Sequence, residues 1–215
     1  MTRCIPKFIP MLLPIVCLIL ALAACLDLKQ PRNKIDYYTL EYDSPAPGNQ
    51  PSLSAPIRVD QFSVSPIYNT NRIIYREGLF KREAYVYHKW RANPADVVTY
   101  LLRRDLQQSG LFKAVVTRES RLPSAYVLEG SVDEFLEWNK KTGWEAYLSL
   151  SVTLMQENEP DISKKILLQK SYFSSKPCRQ KTPGALAEAM SLAMSEISAQ
   201  IMLDIYKTIL STGPK

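Results

Sequence analysis

Apolar and polar residues alternate without a break from Trp144 to Leu154: Trp144, Ala146, Leu148, Leu150, Val152 and Leu154 are separated by Glu145, Tyr147, Ser149, Ser151 and Thr153. Side chains on a strand point alternately to its two faces, so this run predicts a half-buried strand. The run before it places Tyr126, Leu128, Gly130, Val132, Glu134, Leu136 and Trp138 on one face, and Asn139 to Gly143 forms the turn between the two. A third strand, Ile166 to Phe173, follows a polar loop over 157–165. Further strands are predicted at Ile35–Tyr42, Ile57–Phe62, Arg72–Glu77, Leu79–His88 and Phe112–Thr117, with a hairpin about Gly78. The period changes to helical at two places. Asn93 caps and Pro94 opens a helix carrying Val97, Val98, Leu101, Leu102 and Leu106, which Gly110 stops. Thr182 and Pro183 open the longer one, whose apolar face is Leu186, Met190, Ala193, Met194, Ile197, Ile201, Ile205 and Ile209. The methionine pair is read as ordinary core.

Two helices with one apolar face each need a sheet to cover, which predicts an α/β fold: a mixed sheet with amphipathic helices packed on it. The segment 44–56 holds Pro45, Pro47, Gly48, Pro51 and Pro56 and is read as a surface loop, because proline at that density cannot feed a central ladder.

The first 24 residues follow another pattern. Arg3 and Lys7 precede an apolar stretch from Phe8 to Ala24 that ends in small residues, the layout of a secretory signal peptide. Its last residues, Leu22-Ala23-Ala24-Cys25, resemble the lipobox of bacterial lipoproteins. That resemblance implies lipid attachment at Cys25 with cleavage before it, a leader over 1–24, a tether over 25–34 and a domain over 35–211. Two or three acyl chains hold a protein stably on a bilayer, at about 0.8 kcal/mol per buried methylene. In enteric lipoproteins Asp after the cysteine favours the inner membrane; Leu26 stands there, which points to the periplasmic face of the outer membrane. The alternative is an uncleaved spanning helix, disfavoured by its length and by Pro10 and Pro14.

Loss of Arg3 and Lys7 with the leader lowers the net charge from +6 to +4, and the remaining cations stand singly or in pairs, so nucleic acid is not the expected partner. Cys4 and Cys17 leave with the leader and Cys25 is acylated, so Cys178 has no intramolecular partner and is read as a partly buried small residue.

Candidate chemistry is sparse. His88 is the only histidine, which excludes a site needing two, and no His/Cys metal cluster is expected. Glu129 and Asp133 share a face only if their strand is regular, and acidic residues on a wet strand face are the default. None of the seven glycines makes a phosphate loop, so no ATPase and no cofactor is expected. Tyr68, Tyr75, Tyr85, Tyr87 and Trp90 cluster in one stretch; core packing accounts for most of these rings, and Tyr75, Tyr85, Tyr87 and Trp90 are the candidate partner surface.

The order of features is similar to the ABC-type transport auxiliary lipoproteins, the family of paraquat-inducible protein C. The matching stretches are the lipobox, Tyr37-Tyr38-Thr39-Leu40, Ile57-Arg58-Val59 leading through Pro66 to Ile73-Ile74-Tyr75-Arg76, Trp90 before the helix, Tyr126-Val127-Leu128, Asp133-Glu134-Phe135 and the closing helix. The chain departs from it at Trp90-Arg91-Ala92, where the family commonly has Trp-Ala-Glu. The resemblance implies a non-enzymatic lipoprotein that works with a permease, an ATPase and a mammalian-cell-entry (MCE) domain protein in lipid movement. It also implies a three-layer fold like the N-terminal domain of TolB, with ring-shaped homo-oligomers as an option. A lipid or lipopolysaccharide assembly chaperone is the alternative, and a periplasmic hydrolase the least favoured.

Overall fold

A computed structural model describes residues 34–46, 48 and 50–212. One unit begins at Ile35. It is built from nine strands: β1 (Asp36–Tyr38), β2 (Leu53–Val59), β3 (Ser63–Val64), β4 (Arg72–Glu77), β5 (Lys81–Trp90), β6 (Phe112–Val116), β7 (Tyr126–Lys140), β8 (Gly143–Gln156) and β9 (Ile166–Pro177). Helices α1 (Pro94–Gln108), α2 (Ile162–Lys165) and α3 (Pro183–Thr212) complete it. The mixed sheet with helices packed on it is the architecture that the hydrophobic pattern predicts.

The organising strand is β7. Along one edge it pairs antiparallel with β8 over nearly its whole length, and β8 pairs with β9. Along the other edge it takes three parallel partners in succession: β2 at Tyr126–Leu128, β3 at Ser131–Val132 and β4 at Glu137–Asn139. The sheet therefore forks, with β6 beside β2 at one end and β5 then β1 beside β4 at the other, and it curls into a half-barrel.

Asp133 is an extra residue in β7, since Val132 pairs with Leu150 and Glu134 with the next residue, Ser149. A bulge of this kind reverses which residues face the core. Leu128 and Val132 are buried under the helices before it, and Phe135 and Glu137 after it, so the single face expected from Tyr126 to Trp138 does not persist. Leu136 and Trp138 are turned to the opposite face, where Leu136 stands across from Tyr147.

Strand β2 also corrects an expectation. It begins at Leu53, inside the proline-rich stretch read as a loop, and runs through Pro56. The register with β6 is irregular between Leu53 and Pro56, and pairing with β7 begins only at Ile57, so the missing Pro56 N–H is not needed by the ladder. The Pro56 carbonyl is used, accepting from Ala125 N at 3.0 Å.

Both long helices lie on one face and pack on each other. The Asn93 side chain accepts from Ala95 N at 3.0 Å, as a cap should, and Gly110 at φ 67° lets the chain turn into β6. Helix α3 buries Leu186, Met190, Met194, Ile197, Ile201 and Ile205 completely, each adding about 1.5–3 kcal/mol of apolar burial. It also clamps both its flanks. Ser191 Oγ accepts from Glu41 N and the Tyr206 hydroxyl donates to Pro51 O, on one side. Asp204 takes Lys170 and Tyr172, and Glu196 takes Ser174 and Lys176, on the β9 side.

Candidate functional site

The expected aromatic surface separates into core and rim. Trp90 is 2% exposed and meets Phe135 edge to face at 5.2 Å, so it is a core residue and not part of a surface. Tyr68 is likewise buried. Tyr75 and Tyr85 are half-buried, tilted against each other at 44° with ring centroids 4.7 Å apart, and Tyr87 is exposed.

The two tyrosines stand beside a feature the sequence pattern hides. Glu137 is fully buried, and the Tyr85 hydroxyl donates to it at 3.0 Å. Burial pushes the Glu137 carboxyl up to about 7, against the downward pull of hydrogen bonds from Tyr85 and Asn139. Tyr85 is raised in turn by its own burial and by the Glu137 charge. Tyr75 donates to Glu83, which together with burial lifts its hydroxyl to about 12. His88 stands edge-on to Tyr85 at 5.7 Å, with its Nδ1 3.2 Å from the Tyr38 hydroxyl. Cys178 is a free thiol packed at the margin of the core, and burial and Glu137 raise it to about 11. Such a thiol is a poor nucleophile. The cluster gathers a buried carboxyl and two tyrosine hydroxyls where β4, β5 and β7 meet.

The considered carboxylates lie elsewhere, on the face away from the helices. Asp133, displaced by the bulge, accepts from Ser131 Oγ and Ser151 Oγ, each at 2.6 Å. Ser151 and Ser171 hydroxyls are 3.0 Å apart, continuing the chain of hydroxyls across three strands. Glu129 lines an open groove of about 600 Å³ there with Ser131, Ser151, Thr153, Gln169 and Ser171. Among the described residues no group of three or more His, Cys, Asp or Glu side chains is placed to hold a metal.

The exposed apolar feature missed by the sequence reading is the tip of the β4–β5 hairpin. Gly78 takes φ 78°, and Leu79 and Phe80 beyond it are 68% and 96% exposed. Two apolar residues in a turn, where polar ones are usual, are the signal that marks it. Leu22, Ala23, Ala24 and Cys25 lie outside the described residues. Among the described residues no helix is long and apolar enough to cross a membrane.

The fold is that of an α/β protein, a mixed sheet with helices packed on it. Comparison with known families gives the match: the chain belongs to the ABC-type transport auxiliary lipoprotein components, matched over residues 38–202. No curated protein matches. Among solved structures, protein XCC0632 from Xanthomonas campestris is similar at TM-score 0.74 and 18% identity, over 82% of this chain and 98% of that one. The hypothetical protein CT253 from Chlamydia trachomatis is similar at TM-score 0.53 and 8% identity, over 74% of this chain and 100% of that one. At these identities the likeness is one of fold.

Proposed function

We propose that this chain is the lipid-anchored auxiliary component of an ABC transport system that moves lipid across the periplasm, and that it docks an MCE-domain protein at the outer membrane. It has no catalytic role and needs no cofactor. The leader over 1–24 is removed, Cys25 carries the acyl chains, residues 25–34 act as tether, and copies of the domain associate with one another. The observation that carries the reading is the family match across 38–202, behind a lipobox at Leu22–Cys25.

The docking surface we assign is the β4–β5 hairpin end, where Leu79 and Phe80 are exposed at the tip and Tyr87 further along β5. Tyr75 and Tyr85 anchor that hairpin through Glu83 and Glu137. Capture of a purified MCE-domain protein by the full chain in detergent tests this. Saturable capture supports docking, and no capture at micromolar concentrations ends it. Anchoring is tested separately by Cys25→Ser, which should release a folded chain from the membrane fraction; a variant that stays membrane-bound restores the spanning-helix alternative.

A further inference from the structure

Arg76 and Arg82 stand directly across from each other in the antiparallel β4–β5 ladder, so their side chains share a face. It is the face opposite the helices: Arg76 also pairs with Trp138, and its guanidinium carbon lies 3.4 Å from the centroid of that indole and 5.1 Å from the centroid of Tyr147. Like charges directly opposite in a ladder repel, and a buried charge is costly unless a counter-charge and hydrogen bonds satisfy it.

Here the counter-charge is missing and the hydrogen bonding is incomplete. Arg76 is only 7% exposed, and the Nε of Arg76 and the Nε of Arg82 are both buried without a hydrogen-bond partner. Among the described residues neither guanidinium forms an ion pair. Arg82 donates from Nη1 to Leu79 O at 3.0 Å and also hydrogen-bonds the Tyr68 hydroxyl. Two of the neighbouring carboxylates are engaged elsewhere. Glu83 holds Lys81 and Tyr75 on the other face of the hairpin, and Glu145 holds Lys140 at 2.6 Å and Ser175 at 2.7 Å. Glu134 lies near the same Tyr68 hydroxyl as both arginines but forms no ion pair with either. Lys140 adds a third cation 4.3 Å from the Trp138 ring centroid.

We infer that Arg76 and Arg82 form a binding site for a phosphate group on the helix-free face of the sheet. Two planar guanidinium forks need more oxygens than one carboxylate offers, and a phosphate can bridge both with charge-assisted bonds. Trp138 holds the inner arginine in place by cation–π contact, while the less buried Arg82 keeps the site open to solvent. Alongside runs an aromatic shelf, Trp138 to Tyr147 at 5.4 Å and Tyr147 to the half-exposed Phe173 at 4.4 Å, on which the apolar part of a phosphate-bearing amphiphile would lie. The site does not depend on the docking proposal and stands or falls separately from it.

The test is calorimetric titration of the full chain in a phosphate-free detergent, at ionic strength fixed with chloride. The probes are inorganic phosphate and, separately, a short-chain phosphatidic acid. One saturable site is expected, weakened about tenfold or more in Arg82→Gln and again in Arg76→Met, as loss of a charge-assisted bond requires. Tighter binding of the phosphatidic acid identifies a lipid headgroup as the ligand; equal affinity identifies phosphate itself. The inference is overturned if neither probe binds saturably in the millimolar range, or if Arg82→Gln, which leaves the Arg76–Trp138 stack intact, binds as the parent does.

Discussion

The Ser198 hydroxyl donates to Asp105 Oδ2 at 2.6 Å, and this single bond joins α3 to α1 inside the core. The same oxygen accepts from the Tyr42 hydroxyl at 2.7 Å, while Oδ1 takes Arg104 through two nitrogens at 2.9 and 2.7 Å. Asp105 is wholly buried, so it is affordable only because all its partners are present. Asp105→Ala is expected to lower unfolding free energy by about 3–5 kcal/mol, because Arg104 then loses its counter-charge. Ser198→Ala, which leaves the other partners in place, should cost about 1 kcal/mol. Urea unfolding of the two variants checks both; equal losses would contradict the arrangement.

Glu137 makes stability depend on pH in a direction unusual for a carboxylate. Its folded value, about 7, lies above its ordinary 4.5, so the native state holds this proton more tightly than the unfolded chain does. The resulting stabilisation is complete below about pH 4.5 and is lost as pH rises through 7. Glu137→Gln removes that dependence. The variant should gain on the parent as pH rises from 4.5 to 8, by up to about 3 kcal/mol. Urea midpoints of both proteins across this range decide it, and a difference that is flat with pH would refute the assignment.

Gly130 is fixed by close packing. A Cβ there would sit 2.4 Å from the Ser151 carbonyl oxygen and 2.5 Å from Phe62 Cε1. Gly130→Ala should therefore destabilise by about 1–3 kcal/mol. Adding Phe62→Leu should recover only part of the loss, since the β8 backbone cannot withdraw as a side chain can. A thermal scan of the single and double variants reads this.

The hairpin tip offers the opposite case, a change that should touch binding and not stability. Phe80→Asp at a 96% exposed position is expected to shift unfolding by no more than about 0.5 kcal/mol. Capture of the MCE-domain protein should nonetheless fall about tenfold or more, as loss of an apolar anchor at an interface does. Retained capture would move the docking surface away from this hairpin.

What the sequence discloses tracks how local each determinant is. The Asn93 cap, the hairpin at Gly78 and the unbroken alternation of β8 are fixed by neighbouring residues, and all three appear where the pattern puts them. The bulge at Asp133 depends on pairing with β8, so alternation carried through it assigns Glu137 and Trp138 to the wrong faces. The adjacent Phe135 and Leu136, two large apolar residues in a row, were the local sign of that reversal. Trp90 illustrates the same limit: an aromatic at a strand end reads equally as core or surface until its partner, Phe135, is known. The buried charges of Arg76 and Glu137 had no sequence sign, because burial there is imposed by strands far away in the chain.

The succession of three partners along one edge of β7 has a consequence for how this chain comes into being. Strands β2, β3 and β4 pair with residues some 60 to 70 positions further on, so each waits for a segment that emerges late. A chain threaded through a membrane from its N-terminus would have this spine only after residue 140 had passed, and loop closure over such distances is slow. Until β7 is available the β2, β3 and β4 edges lack their partner, so the sheet closes late, around β7.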